Sequence, residues 1–216
     1  MTCLADAAEM QLPSPTGLYK TWNLSPEAYR RGRKYWEWDY LVDCAERLGV
    51  LRSDARALGL GVGREVLMYY FARYCKEVVA TDLYSLETEW REANTGAIEE
   101  IYAASPFEYP RERLKVEVAD MRQTHYPGES FDFVWSCGSI EHVPTLFDIY
   151  KTFVEIHRLL KPGGYALITT EYCLFEPPYF LQGMNAMDEQ LVELFLKKLE
   201  GLELTGPTDL TYNCAH

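Results

Sequence analysis

The chain has 216 residues, a formal charge of −12 at pH 7 and 48% hydrophobic residues, enough for one well-cored domain and hardly enough for two. Its acidic balance argues against an extended nucleic-acid footprint, which needs clustered Lys and Arg to displace counterions. No apolar run approaches the roughly 20 residues that span a bilayer. The opening "MTCLADAAEMQLPSPTG" has neither the basic start nor the apolar centre of a secretory signal. Cys3, Cys44, Cys75, Cys137, Cys173 and Cys214 are widely spread, with no CxxC pair and no metal spacing. Reduced thiols in a cytoplasmic protein without structural zinc are expected.

Residues 1–24 read as an N-terminal arm and 25–216 as one domain. Ser25 is the expected N-cap and Pro26 the first position of a helix carrying Trp38, Leu41, Val42, Ala45 and Leu48 at helical spacing. Gly49 stops it, and Gly32 is a point where it can divide. The basic run "RRGRK" at 30–34 reads as a solvated helix face. A strand over 55–60 leads into "ALGLGVGRE" at 57–65, followed by a helix over 64–75. "EVVATD" at 77–82 is a β-branched strand, and 85–104 is helical with Leu86, Trp90, Ile98 and Ile101 as its stripe. After the loop "SPFEYPRER" come strands "RLKVEVAD" and "FDFVWS". Then follow the helix "TLFDIYKTFVEIHRLL", a closing "KPGG" and the strand "YALITTE". A helix over 187–200 precedes "LELTG", read as a sixth strand. This alternation implies an α/β, doubly wound, Rossmann-like and mainly parallel sheet with helices on both faces. It carries an extra N-terminal helix and a shortened C-terminal end.

In such a sheet, ligands bind beyond the carboxyl ends of the strands, where strand order reverses. The glycine turn after the first strand, Asp82 after the second and Asp120 after the third all lie on that edge. A dinucleotide fingerprint GxGxxG fails in both registers, which place Arg64 or Val66 at its last glycine. A P-loop fails because no GK[ST] follows. S-adenosylmethionine, with a ribose and an adenine but no pyrophosphate, suits the pattern. Its methionyl part can lie on bare glycine backbone near a helix N-terminus, and Asp82, 21 positions after Gly61, suits the ribose hydroxyls.

With these residues in view, the chain resembles the class I S-adenosylmethionine-dependent methyltransferases. "LGLGVGRE" matches their first motif and "VVATDLY" the second strand with its ribose acid. "VEVADMRQTHYPGESFDFVWSCGSIEHV" matches the adenine acid and fourth strand, and "EIHRLLKPGGYALIT" the following helix, turn and fifth strand. The likeness covers about residues 50–172. It implies a helical cover at 25–49, a cofactor-binding core at 50–172, and a lid-like loop, helix and edge strand at 173–216. The form "GVGREVLMYYFA…EVVATDLY" looks like a bacterial subgroup associated with sugar or surface-polysaccharide genes. The resemblance assigns Gly61 and Gly63 to the methionyl end, Asp82 and Leu83 to the ribose, and Asp120 and Met121 to the adenine. Ser136 and Cys137 would lie below the methionyl chain. Gly59 departs from the acid usual in the family, and Arg64 and Glu65 replace a small residue and a glycine. Either Glu65 supplies the missing charge while Arg64 reaches the cofactor carboxylate, or Glu65 complements the helix dipole and Arg64 is solvated.

Candidates for a general base are His142 in "SIEHVP" and Glu141 beside it; the alternatives are capping or packing for His142 and backbone orientation for Glu141. His125 is expected on an exposed loop and His157 on a helix face. Cys137 follows Ser136 rather than the proline of DNA cytosine methyltransferases, which disfavours covalent pyrimidine chemistry. "EPPYF" at 176–180 follows the fifth strand, the wrong place for an amino-methylating DNA motif, and reads as a lid-like turn. Tyr19, Trp22, Tyr35 and Trp36 either shape the acceptor pocket or pack the N-terminal helix, and Tyr172 and Phe175 are further pocket candidates. The reading is methyl transfer to a small-molecule acceptor, such as a sugar or natural-product hydroxyl. A non-catalytic methyltransferase-like binding or regulatory protein is the alternative, and a nucleotide-sugar or dinucleotide enzyme is disfavoured by the glycine pattern. No nucleic-acid or membrane partner is expected, and a homodimer stays open.

Overall fold

A computed structural model describes residues 2–3, 33–84, 98–173, 180–181, 183–206 and 208–209. Helix α1 spans Arg33–Arg47, β1 Arg56–Leu60, α2 Leu67–Tyr74 and β2 Glu77–Asp82. Residues Ile98–Ala103 form α3, Leu114–Val118 β3, Phe131–Cys137 β4, Leu146–Leu159 α4, Leu160–Thr169 β5 and Glu189–Lys198 α5. The five strands pair in the order β3-β2-β1-β4-β5, all parallel. The order reverses between β1 and β4, so the ligand crevice of a doubly wound sheet falls there.

Strand alternation divides the core into two faces. Ala57, Val78, Ala80, Phe133, Trp135 and Cys137 point toward α1, α2 and α3, where they meet Leu41, Val42, Ala45, Phe71 and Ile101. Leu58, Leu60, Val79 and Val134 point the other way, onto Ile156 and Leu159 of α4. A parallel sheet covered on both faces demands such continuous apolar strands, which is why "VVA" and "FVW" read as strands without polar alternation. Helix α4 starts at Thr145, whose side chain accepts from the Asp148 amide, an N-cap of the usual kind.

Three expectations need correction. "LELTG" is not a strand: residues 202–206 are irregular. Leu202 packs on the α4-side core, but Leu204 is 43% exposed, so the alternation has no second core position to fill. "KPGG" does not separate α4 from a strand starting at 165. The chain pairs with β4 from Leu160, and the pairing jumps from Phe131–Leu160 to Phe133–Tyr165, so residues 161–164 bulge out, with Gly163 at φ +76°. The basic run is not a free solvated face where it is described: Arg33 pairs with Glu37 and Glu171, and Lys34 reaches the sheet edge. Residues 30–32, Ser25, Pro26, Trp90 and most of "EPPYF" lie outside the described residues.

Gly59 owes its identity to packing. Its φ is not positive, but a Cβ there would stand 2.3 Å from Trp135 Cζ2 and 2.3 Å from Val62 Cγ1. Overpacking of this kind costs about 1–3 kcal/mol. Gly59→Ala is therefore expected to lower the urea midpoint, and adding Trp135→Leu should recover part of the loss. Strictly additive destabilisation would show that the two residues do not compete for one space.

Candidate active site

The turn leaving β1 is built by tertiary contacts. Gly61 and Gly63 have φ of +67° and +49°, a region that side chains disfavour. A Cβ at Gly61 would also lie 2.6 Å from Met121 Cε and 2.7 Å from Ser139 Cβ. Ser139 Oγ donates to the Gly61 carbonyl at 2.5 Å. Asp82, at the end of the adjacent strand, accepts from the Gly63 amide at 2.8 Å and the Leu83 amide at 2.7 Å. Burial raises its pKa, with the amides of Gly63, Leu83 and Tyr84 opposing. Tyr84 donates its hydroxyl to the Gly63 carbonyl at 3.1 Å from a backbone at φ +40°. Leu83 is half exposed.

Glu65 and Arg64 part company. Arg64 points outward, 3.4 Å from exposed Glu100. Glu65 points inward and accepts from Trp135 Nε1 at 2.6 Å in a buried contact. Burial pushes Glu65 up to about 7, against the pull of Lys34 and the Trp135 indole.

Lys34 and Glu37 of α1 complete a charged layer above β4 and β5. Lys34 donates to the Cys137 carbonyl and lies 3.5 Å from Glu37 Oε2. The same carboxylate oxygen accepts from Thr169 Oγ1 at 3.1 Å and Cys137 Sγ at 3.3 Å. Burial works against the Lys34 charge, but Cys137, Glu65 and Glu37 outweigh it and hold the ammonium above the ordinary lysine range. The Cys137 thiol is pushed far up by burial, with Glu65 adding to the effect, so it is a neutral donor and not a nucleophile. Strand alternation sends Ser136 to the opposite face, where its buried Oγ has no partner among the described residues.

Beyond β4, Ile140–His142 form a single 3₁₀ turn. Asn185 anchors it, donating to the carbonyls of Glu141 at 3.1 Å and Val143 at 2.6 Å. Glu141 is buried, its Oε2 accepts from Thr170 Oγ1 at 3.2 Å, and burial raises its pKa. His142 Nδ1 lies 2.8 Å from the Gly183 carbonyl. A carbonyl only accepts, so Nδ1 carries the proton and Nε2 is the basic nitrogen. Glu141 and the α1 charges converge on Gly138: a Cβ there would lie 2.8 Å from Lys34 Nζ, 3.2 Å from Glu37 Oε2 and 3.5 Å from Glu141 Oε1.

Asp120 is gripped by Arg122, whose Nη2 lies at 2.6 Å and Nε at 2.9 Å, and Arg122 continues to Asp148 at 3.3 Å. The Arg122 hydrogen bonds hold the Asp120 pKa below its usual range. Tyr35 packs edge-on against Trp38, and Trp36 stacks on Tyr40; Tyr172 is half-buried and pairs across the chain with Met187. Tyr19, Trp22 and Phe175 lie outside the described residues. His125 faces Glu117, and His157 lies against Gly201 at the opposite end of the sheet.

A parallel 3-2-1-4-5 sheet, a glycine turn and a strand-end acid on one edge are matched by a family model for a methyltransferase domain over residues 58–168. The chain belongs to this methyltransferase family. Its cofactor is S-adenosylmethionine. Among relatives, 27-O-demethylrifamycin SV methyltransferase of Amycolatopsis mediterranei is 28% identical over 144 residues, covering 67% of this chain and 47% of the relative. Phosphoethanolamine N-methyltransferase 2 of Caenorhabditis elegans is 40% identical over 57 residues, 26% of this chain and 12% of the relative. The chain thus spans less than half the length of these curated relatives. The fold is shared with S-adenosylmethionine-bound CalS10, an amino pentose methyltransferase of Micromonospora echinaspora, at TM-score 0.55 and 17% identity, over 80% of this chain and 86% of that one. Among the described residues, no helix of the chain is long and apolar enough to cross a membrane.

The residues present fit the cofactor. The glycine turn leaves bare backbone where a Cβ would collide, and Asp82 uses two amides but retains acceptor capacity. Lys34, Glu37, Tyr84, Ser139, Arg122 and Asn185 escaped the sequence reading. One signal was available: Lys34 shares its helix face with Trp38, Leu41 and Ala45, and a charge on an apolar stripe calls for a buried partner.

The Glu65 environment has a measurable consequence. Its folded pKa is about 7 against an ordinary 4.5, so the native state binds more protons than the unfolded chain between those values. Stability from this group is complete below pH 4.5 and is lost as pH rises toward 7. Relative to Glu65→Gln, the wild type is expected to lose about 3 kcal/mol across that window. Urea midpoints for both proteins at pH 4.5 and 7.5 measure it; a constant difference would show that Glu65 titrates normally.

Proposed function

We propose that this protein transfers a methyl group from S-adenosylmethionine to a small-molecule acceptor, a sugar or natural-product hydroxyl. The observation that carries the reading is the convergence, on the β1–β4 crevice, of the glycine turn, Asp82 and the turn bearing Glu141 and His142. The natural-product substrate named in the rifamycin relative points the same way for the acceptor class.

In this reading Gly61 and Gly63 receive the methionyl part, Asp82 with Leu83 the ribose, and Asp120 with Met121 the adenine. Glu65, held partly protonated near neutral pH by its burial, acts on the methionyl group only through the layer it shares with Lys34 and Trp135. Cys137 walls the reacting end as a neutral thiol on the α1 side of β4, whereas Ser136, whose side chain faces the other side of the sheet, contributes its backbone alone. The bound cofactor supplies an already activated methyl on a sulfonium. The chain's own work is then to hold the acceptor in line, an effect worth up to ~7–11 kcal/mol in ideal cases. His142 Nε2 accepts the hydroxyl proton, a contribution of about 10²–10⁴-fold, and Glu141 holds the turn that presents it. Tyr35, Trp36 and Tyr172 line the approach of the acceptor.

Calorimetry with S-adenosylhomocysteine tests the cofactor half: micromolar binding is expected, weakened at least tenfold in Asp82→Ala, with no measurable binding of NAD. Preference for NAD would overturn it. Transfer of labelled methyl groups to a panel of sugar and polyketide hydroxyls tests the acceptor half. His142→Gln should lower the rate at least a hundredfold with little change in cofactor affinity. Cofactor binding with no transfer to any acceptor would instead favour a methyltransferase-like binding protein.

A further inference from the structure

The α1 ammonium sits where a ligand would be received. Lys34 Nζ donates to the carbonyl of Cys137, the last residue of β4, at the point where strand order reverses. Glu37 Oε2 and Glu141 Oε1 flank it about the bare Gly138 backbone, and Glu65 acts on it from the glycine turn. Lys34 comes from the first turn of α1, outside the sheet, on a flexible stem whose side chain is still 39% exposed. Among the described residues nothing else in this layer is a mobile cation: Arg33 is tied to Glu37 and Glu171.

We propose that Lys34 is an internal stand-in for the ammonium of the cofactor's amino-acid end, and that cofactor binding drives Lys34 out of this layer into solvent. The inference rests on the cofactor reading above. The Cys137 carbonyl and the Glu37 carboxylate accept from one primary ammonium, and a second cation beside it is repelled in a partly buried site. Exchange of one ammonium for another keeps the charge of the layer constant. It also leaves α1 held by one contact fewer, so the helical cover responds to cofactor occupancy.

Acylation of Lys34 in the intact wild-type chain, followed by mass spectrometry and normalised to exposed Lys197, reports the exchange directly. Saturating S-adenosylhomocysteine is expected to raise Lys34 labelling at least fivefold. Its desamino analogue, which keeps the carboxylate but lacks the ammonium, should leave labelling unchanged. Protection of Lys34 by S-adenosylhomocysteine would overturn the proposal, because it would make the lysine a ligand for the cofactor carboxylate; so would unchanged labelling. In Lys34→Gln, calorimetry should show the preference for S-adenosylhomocysteine over the desamino analogue widened about tenfold, and an equal loss for both ligands would count against the exchange. Should the wild type bind neither ligand, the cofactor reading itself fails; binding without a labelling change fails only this inference.

Discussion

The Trp135 indole lies against the bare backbone of Gly59, and the architecture of the cleft depends on that contact. The ring takes the space that any side chain at 59 would need, and it carries a donor into the interior just below the glycine turn. A buried donor without an acceptor costs about 1–3 kcal/mol, and the Glu65 carboxylate meets it. This in turn buries an acid, which requires a cation nearby or a proton. Lys34 answers the first need, and the upward-shifted pKa of Glu65 reflects the second. A packing choice in one strand thus reaches through Glu65 and Lys34 to draw α1 onto the carboxyl edge of the sheet.

Topology does the rest of the assembly. Parallel pairing places every strand's carboxyl end on one edge of the sheet, so residues as distant in sequence as Gly61, Asp82, Asp120 and Glu141 share a border. Asp82 fixes the turn before any ligand arrives, because it already holds the Gly63 amide. The 3₁₀ turn after β4 is fixed as firmly, by Asn185 from beyond β5. Such a preorganised edge costs little reorganisation when a ligand binds.

Much of this was legible in the residues. β2 runs over the residues expected, since "EVVATD" combines β-branched residues with a strand-end acid. The first four residues of "SIEHVP" sit beyond β4, on the edge where the alternation of strands and helices puts them. "LELTG" misled because local alternation says nothing about whether a core is available to receive the second leucine. "KPGG" misled because a proline and two glycines announce a turn, and only the pairing of Leu160 with Phe131 shows that the strand has already begun. Lys34 was hidden in a basic run whose composition suggests solvent.

By itself, the sequence determined the alternation of strands and helices, the order of the site acids along the chain and the absence of a dinucleotide fingerprint. These follow from local period and fixed spacing. Only the tertiary structure decided that Arg64 faces outward to Glu100 while Glu65 turns in to Trp135, and that Lys34 closes the layer above Cys137. Those choices are settled by which buried donor or charge lacks a partner once the sheet and α1 are packed together, and neighbours that far apart in sequence leave no local pattern.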